Sequence, residues 1–226
     1  MIHLCEKNLS ELIINESQKQ IRNNSEVVFA KNKIKLLNCD WEYVDMDISF
    51  TVKKGVSQSE LTLLNSILGG GTGAKLQYYL KDELGLTYNV YSYFEMYSDF
   101  SAIHIALSTH KGNVYKIIDA VISVLNSLKE GITEYDMQTN LPYYSENTWF
   151  WLEDPEFLNL EIGWELFRNE DPLKVEDRIE LYNKITSTRL TNIANDIFNE
   201  KNAFVTVVGA VERKLENQIK KRLAKW

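Results

Sequence analysis

The chain has 226 residues, 44% of them hydrophobic and 12% aromatic, and a net charge of −7. That apolar content excludes wholesale disorder, and the acidity argues against nucleic acid or an anionic membrane as the main partner. Cys5 and Cys39 form neither a metal-binding spacing nor a disulfide framework. With no apolar run approaching the roughly 18 residues of a membrane span and no signal-peptide core at the N-terminus, a soluble cytoplasmic protein is expected.

Residues 1–25 read as a short amphipathic piece (Leu9, Leu12, Ile13) ending in a polar run, an appended segment or linker. From Val27 the pattern turns to strand, and 26–226 reads as a single domain. The clearest strand is Val44–Lys53, in which five apolar residues alternate with five polar ones. Strict period two means one buried and one solvated face, which favours an antiparallel sheet covered on one side. Ser57 and Glu60 form a capping-box pair ahead of Leu61, Leu64, Ile67 and Leu68. A glycine run follows, then a predicted helix over 74–84 with Gly85 at its C′ position and Leu86 able to fold back onto the last turn.

Two strands are predicted over 87–94 and 100–109, with Tyr97-Ser98-Asp99 as their turn. Val114, Ile117, Ile118, Val121, Ile122, Leu125 and Leu128 make a helical stripe that Gly131 closes, and Thr133 can cap the next helix. Residues 137–198 read as mostly helical, broken near Pro155 and Pro172. Phe204–Val208 is a last strand, and Leu215, Ile219, Leu223 and Trp226 line a terminal helix. Its lysines and arginine (Lys214, Lys220, Lys221, Arg222, Lys225) form a solvated face. The expected fold is α+β, a mainly antiparallel sheet of five or six strands with helices packed on one face.

The glycine run Gly69-Gly70-Gly71-Thr72-Gly73 stands out in a chain with ten glycines in all. Clustered glycine marks backbone that bends sharply or approaches something closely. A phosphate-binding loop needs G-x-x-x-x-G-K-[ST] after a buried parallel strand, whereas here Lys75 precedes Leu76 and a helix lies upstream. Of the three histidines, His3 with Cys5 makes at most half a site, His104 and His110 have no acidic or cysteine partner at ligand spacing, and neither H-E-x-x-H nor H-x-x-E-H occurs. His104 reads as a partly exposed sheet residue. No G-x-S-x-G appears, and nothing nearby activates Cys39. Glu153-Asp154 and Glu170-Asp171 read as solvated turn residues. Nothing in these patterns supports a self-contained enzyme.

Lys81 falls in the last turn of its helix, where the dipole favours a cation. Gly85 then reverses the chain, which brings Tyr88 to the same corner of the sheet. An ammonium and a phenol placed there can hydrogen-bond a peptide carbonyl or a C-terminal carboxylate. The bland alternative is a surface lysine beside a packed tyrosine.

At these residues the sequence resembles the insulinase/pitrilysin family of zinc peptidases, which carries L-G-G-G-x-x-S-R-L-x-x-x-L-R-E-x-x-G-L-x-Y in the second half of each subunit. Leu68 through Leu76 and Leu80 through Tyr88 follow that pattern. Tyr97-Ser98-Asp99, Leu128-Lys129-Glu130-Gly131-Ile132-Thr133-Glu134 and Val207-Val208-Gly209 resemble later landmarks. The resemblance implies one half of a two-half architecture that encloses a chamber. The zinc site lies in the other half, so this chain needs no cofactor of its own and zinc is expected on a partner. It further implies that Lys81 and Tyr88 grip the substrate backbone and that Gly69, Gly70, Gly71, Thr72 and Gly73 help admit a peptide.

Lysine stands where the family has arginine at 81 and at 75. Charge is kept, but the planar two-pronged guanidinium contact is lost. The expected function is a non-catalytic, substrate-binding half of a peptide-processing protease, acting with a zinc-bearing partner. The alternatives are a scaffold subunit of the same fold, as in relatives within respiratory complexes, or a fragment of a longer zinc peptidase.

Overall fold

The alternation in residues 43–52 organises the molecule. The computed structural model describes residues 33–71, 73–97, 99–167, 174–212 and 214–226. The predicted N-terminal segment 1–25 and the start of the strand pattern at Val27 lie outside the described residues. So do Thr72, Ser98, Glu170-Asp171 and Pro172.

The sheet contains β1 (Ile34–Asn38), β2 (Tyr43–Val52), β3 (Asn89–Met96), β4 (Ser101–His110) and β5 (Ala203–Gly209), in the order β1-β5-β2-β4-β3. β2 buries Val44, Met46, Ile48 and Phe50 on one face. β2 pairs antiparallel with β4 and with β5, and β3 pairs antiparallel with β4. β1 pairs parallel with β5, so the sheet is mixed but mostly antiparallel. β3 begins two residues later than the sequence pattern predicts. Thr87 is instead buried ahead of it, with its hydroxyl 2.6 Å from the Ser108 carbonyl oxygen.

The helices lie on the apolar face of the sheet. α1 (Gln58–Asn65) starts in the predicted capping box: the Ser57 hydroxyl accepts from the Glu60 N–H, and the Glu60 carboxylate accepts from the Ser57 N–H. Its end widens into a π-helical turn, Ser66–Gly70. The helix expected over 74–84 also differs from a regular α-helix, because Gln77–Glu83 (α2) is wound as a π-helix. Leu76, at the N-cap of this π-helix, and Leu80 within it are both fully buried.

α3 (Val114–Glu130) buries the predicted stripe, with Val124 also in the core and Ile122 at its margin. α4 (Glu134–Leu152), α5 (Pro155–Phe167), α6 (Val175–Asn183) and α7 (Ser187–Ile197) make up the helical region. Pro155 opens α5, and the Asp154 carboxylate accepts the N–H groups of Glu156 and Phe157. α8 (Lys214–Leu223) closes the core with Leu215, Ile219 and Leu223. Phe50 sits at the centre of the core, edge-on to Phe198 at 5.3 Å and to Trp226 at 5.9 Å. Among the described residues, no helix covers the opposite face of the sheet, which presents Asp45, Asp47, Tyr91, Tyr93 and Ser108.

Candidate functional site

The glycine tract joins the π-turn of α1 to α2 at one end of the sheet, and its glycines serve different purposes. Gly69 is buried against the sheet: a Cβ there would lie 2.8 Å from the Ser92 main-chain nitrogen on β3. Gly70 and Gly71 pack back against the end of α1, where a Cβ on Gly70 would collide with the Asn65 side chain and one on Gly71 would lie 2.7 Å from the Ser66 hydroxyl. Gly73 has φ +75° and open space around it, so it serves the turn itself. The loop's N–H groups are partly used internally, Gly71 donating to the Ser66 carbonyl at 3.2 Å and Ala74 to that of Gly71 at 3.2 Å. An anion cradle needs successive N–H groups turned outward, and this loop spends these two on itself.

Lys75 does not point to solvent alone. Its ammonium lies 2.8 Å from the Asp136 carboxylate, which is almost fully buried and also accepts from the N–H and hydroxyl of Thr133. Thr133 in turn caps α4 by accepting from the Asp136 N–H. Burial pushes the Asp136 carboxyl up, but the hydrogen bonds from Lys75 and Thr133 outweigh it and hold the group below the usual aspartate value. The start of α2 is thereby tied to the N-terminus of α4. The predicted cap at Thr133 and the cationic position at 75 are parts of one contact. Ser66 extends it by donating to the Asn140 side chain at 2.7 Å.

Lys81 and Tyr88 meet at the end of α2. The Lys81 ammonium lies over the Tyr88 ring, 5.4 Å from its centroid. Gly85, at φ +58°, turns the chain between them, and the Leu86 N–H donates back to the Leu80 carbonyl at 2.9 Å. Tyr88 is 88% exposed and lies just ahead of β3 rather than within it. The corner therefore presents a cation held on an aromatic face, with the phenol hydroxyl and ammonium protons turned to solvent. A carbonyl or carboxylate oxygen fits such a pair of donors. Gly70 and Gly73 are exposed in the neighbouring loop, while Gly69 is buried.

A second cluster was not legible in the sequence. His104 on β4 stacks on Tyr93 of β3, with ring centroids 4.7 Å apart and planes 6° from parallel. Its Nδ1 lies 3.3 Å from the Asp47 carboxylate on β2. No acidic partner of His104 lies near it along the chain. The partner comes from a strand 57 residues away, diagonal to it across the β2–β4 register. The only available signal was that Asp47 and His104 both occupy polar positions of alternating strands. Tyr93 has its phenol pushed up by burial and by the carboxylates of Asp47 and Glu95.

The described residues hold no group of three or more His, Cys, Asp or Glu side chains that could hold a metal ion. His104 with Asp47 supplies two donors, which does not fit a tetrahedral zinc site. His3 and Cys5 lie outside the described residues. Cys39, just beyond β1, is half-buried, with its sulfur 3.8 Å from the Leu37 carbonyl oxygen. No described helix is long and apolar enough to cross a membrane.

Comparison with known proteins bears on the fold and the family. The chain is 23% identical over 149 residues to the zinc protease YmxG of Bacillus subtilis, covering 66% of this chain and 36% of that protein. It is 25% identical over 166 residues to a zinc protease of Rickettsia felis, covering 72% and 40% respectively. The chain thus spans between about a third and two fifths of the length of these curated relatives. Among solved structures, a peptidase M16 inactive domain from Pseudomonas fluorescens superposes with a TM-score of 0.67 at 20% identity, over 79% of this chain and 44% of that one. A protease from Helicobacter pylori gives 0.70 at 18% identity, over 78% and 43%. Complex III2 from Candida albicans gives 0.70 at 12% identity, over 84% of this chain and 49% of the matched one. Residues 6–140 match the family described as peptidase M16 inactive domain, and the chain belongs to that family.

Proposed function

We propose that this chain is the non-catalytic, substrate-binding half of a zinc-dependent peptide-processing protease, working with a partner half or subunit that carries H-x-x-E-H. The observation that carries the reading is the Lys81–Tyr88 corner. An ammonium lies 5.4 Å over an exposed tyrosine ring, directly after a glycine loop, in a chain of the M16 inactive-domain family. Lys81 and Tyr88 orient the peptide backbone, and the loop containing Gly69, Gly70, Gly71, Thr72 and Gly73 borders its entry. In this reading the zinc is held by the partner; the relatives named as zinc proteases support it. A cytoplasmic location, drawn from the cysteine usage, goes with this reading and is checked by cell fractionation.

The coverage of about a third to two fifths of the relatives' length supports a need for a second half, whether it comes from a separate subunit or from a longer chain. The test is reconstitution with a partner that carries H-x-x-E-H, sought first in the neighbouring open reading frame. Lys81→Ala and Tyr88→Phe lower peptide turnover while leaving assembly intact. The competing scaffold reading draws on the fold likeness to a chain of Complex III2. It wins if turnover in both variants matches that of the unaltered complex.

A further inference from the structure

The helical layer carries a local reversal of charge. The chain as a whole has a net charge of −7, yet from Lys214 to Trp226 five basic side chains stand against the single carboxylate of Glu216. The helix dipole favours cations around the last turn of α8, but it does not choose a side of the helix, and the two flanks differ. On the flank towards β1, Lys220 is neutralised by Glu216 at 2.6 Å. On the flank towards α3, Lys221 and, just past the end of the helix, Lys225 have no ion-pair partner among the described residues.

These two lysines border a groove of about 440 Å³ between α3 and α8. Three contacts tie its floor together, and they follow the same order along both helices, so the helices run parallel. The Tyr115 hydroxyl donates to the Gln218 side chain, Asp119 pairs with Arg222 at 3.0 Å, and the Trp226 indole N–H donates to Asn126 at 2.6 Å. Ile122 belongs to the apolar stripe of α3 but is only half-buried, and it lies in the groove between these ties. At the far end the Lys129 ammonium rests on the Trp226 ring, 5.0 Å from its centroid, and it too has no carboxylate partner among the described residues. The floor is therefore fixed by its own contacts, and the uncompensated charge sits on the rim.

We infer that this groove docks an acidic amphipathic helix of a partner protein, whose carboxylates meet Lys221, Lys225 and Lys129 and whose apolar edge covers Ile122. Charge complementarity selects the sign of the occupant. A trough between two parallel helices selects its shape, because a third helix laid along it packs about 8–10 Å from each neighbour. The methylene stems of Lys221 and Lys225 extend the apolar wall while their ammonium groups stay at the rim. A flat anionic lipid surface fits less well, since Ile122 lies at the bottom of the groove, below the lysines. None of the groove residues belongs to the Lys81–Tyr88 corner, so the inference stands apart from the peptide-binding reading.

The test titrates the chain by itself with three labelled helix-forming peptides of about 18 residues, roughly five turns, which differ only in carrying Glu, Gln or Lys along one flank. At low salt the Glu peptide binds about tenfold more tightly than the Gln peptide, and the Lys peptide binds most weakly. The advantage shrinks as salt is raised. Lys221→Gln/Lys225→Gln abolishes it. Lys116→Gln/Lys220→Gln, the same change of charge at exposed lysines outside the groove, retains it, and thermal melts show both variants folded. Equal affinity for the Glu and Gln peptides overturns the inference, as does an equal loss of the advantage in the two double variants. Binding to phosphatidylserine vesicles that displaces the Glu peptide and also depends on Lys221 and Lys225 overturns the choice of a protein helix over a lipid surface.

Discussion

Replacing glycines in the loop one at a time separates two physical roles within a single tract. In Gly69→Ala the new methyl lies 2.8 Å from the Ser92 nitrogen and 2.9 Å from both the Ser92 hydroxyl and the Leu76 methyl. Leu76 can rotate away, but the Ser92 nitrogen is main chain of β3 and cannot move without disturbing the β3–β4 ladder. Forced overpacking of this kind costs about 1–3 kcal/mol, which for a domain of this size lowers the melting temperature by roughly 2–12 °C. Gly73→Ala has nothing within 4 Å of the new methyl and is strained only through its φ of +75°. That costs about 1–2 kcal/mol. Asparagine tolerates left-handed backbone, so Gly73→Asn recovers part of the loss, whereas Gly69→Asn is worse than Gly69→Ala. Denaturant unfolding with a constant m-value reads all four variants. The reasoning fails if Gly69→Ala unfolds at the wild-type midpoint, or if asparagine rescues both positions alike.

Three further outcomes are expected. Asp136→Asn removes the acceptor shared by Lys75 and Thr133 in a nearly buried site and costs about 1–3 kcal/mol at neutral pH, seen as a lower unfolding midpoint. Because the folded Asp136 carboxyl is held below its ordinary value, its contribution is fully present above the unfolded aspartate value near pH 3.9. It is lost as pH falls further, through the folded value, so the wild-type advantage over Asp136→Asn narrows in acid melts below about pH 4. Phe50→Ala empties the site between Phe198 and Trp226 and costs about 3–5 kcal/mol, measured by the same unfolding titration. Lys81→Ala and Tyr88→Phe, at an exposed corner, leave the unfolding free energy within about 0.5 kcal/mol of wild type, so any loss of turnover is not a loss of fold.

Much of the architecture is written in local pattern. The alternation of Val44 to Val52 specifies a one-face-buried strand, because side chains on a strand alternate without regard to what the strand pairs with. The stripe from Val114 to Leu128 works in the same way at helical period. The Ser57–Glu60 and Thr133 caps, and the turn at Gly85, need only residues a few positions apart. For that reason each could be read directly and is found in the structure. The Lys81–Tyr88 pair was legible because one short turn joins its members.

Other features depend on which segments become neighbours, and no local period encodes that. The parallel pairing of β1 with β5 joins strands at opposite ends of the described chain. The contact of Asp47 with His104 exists only because β2 and β4 adopt one register, and a one-residue slip would turn one of them to the other face. Lys75 reads in sequence as a weakened arginine, but the fold gives it the Asp136 carboxylate to hold. Gly69 and Gly73 are the same letter in the same tract. One is required by the proximity of another strand and the other by its own dihedral angle. Sequence determined the elements, their caps and the corner that a short turn closes. The tertiary structure decided which carboxylates, rings and main-chain atoms meet across the sheet, because those contacts form only once the core has set the register.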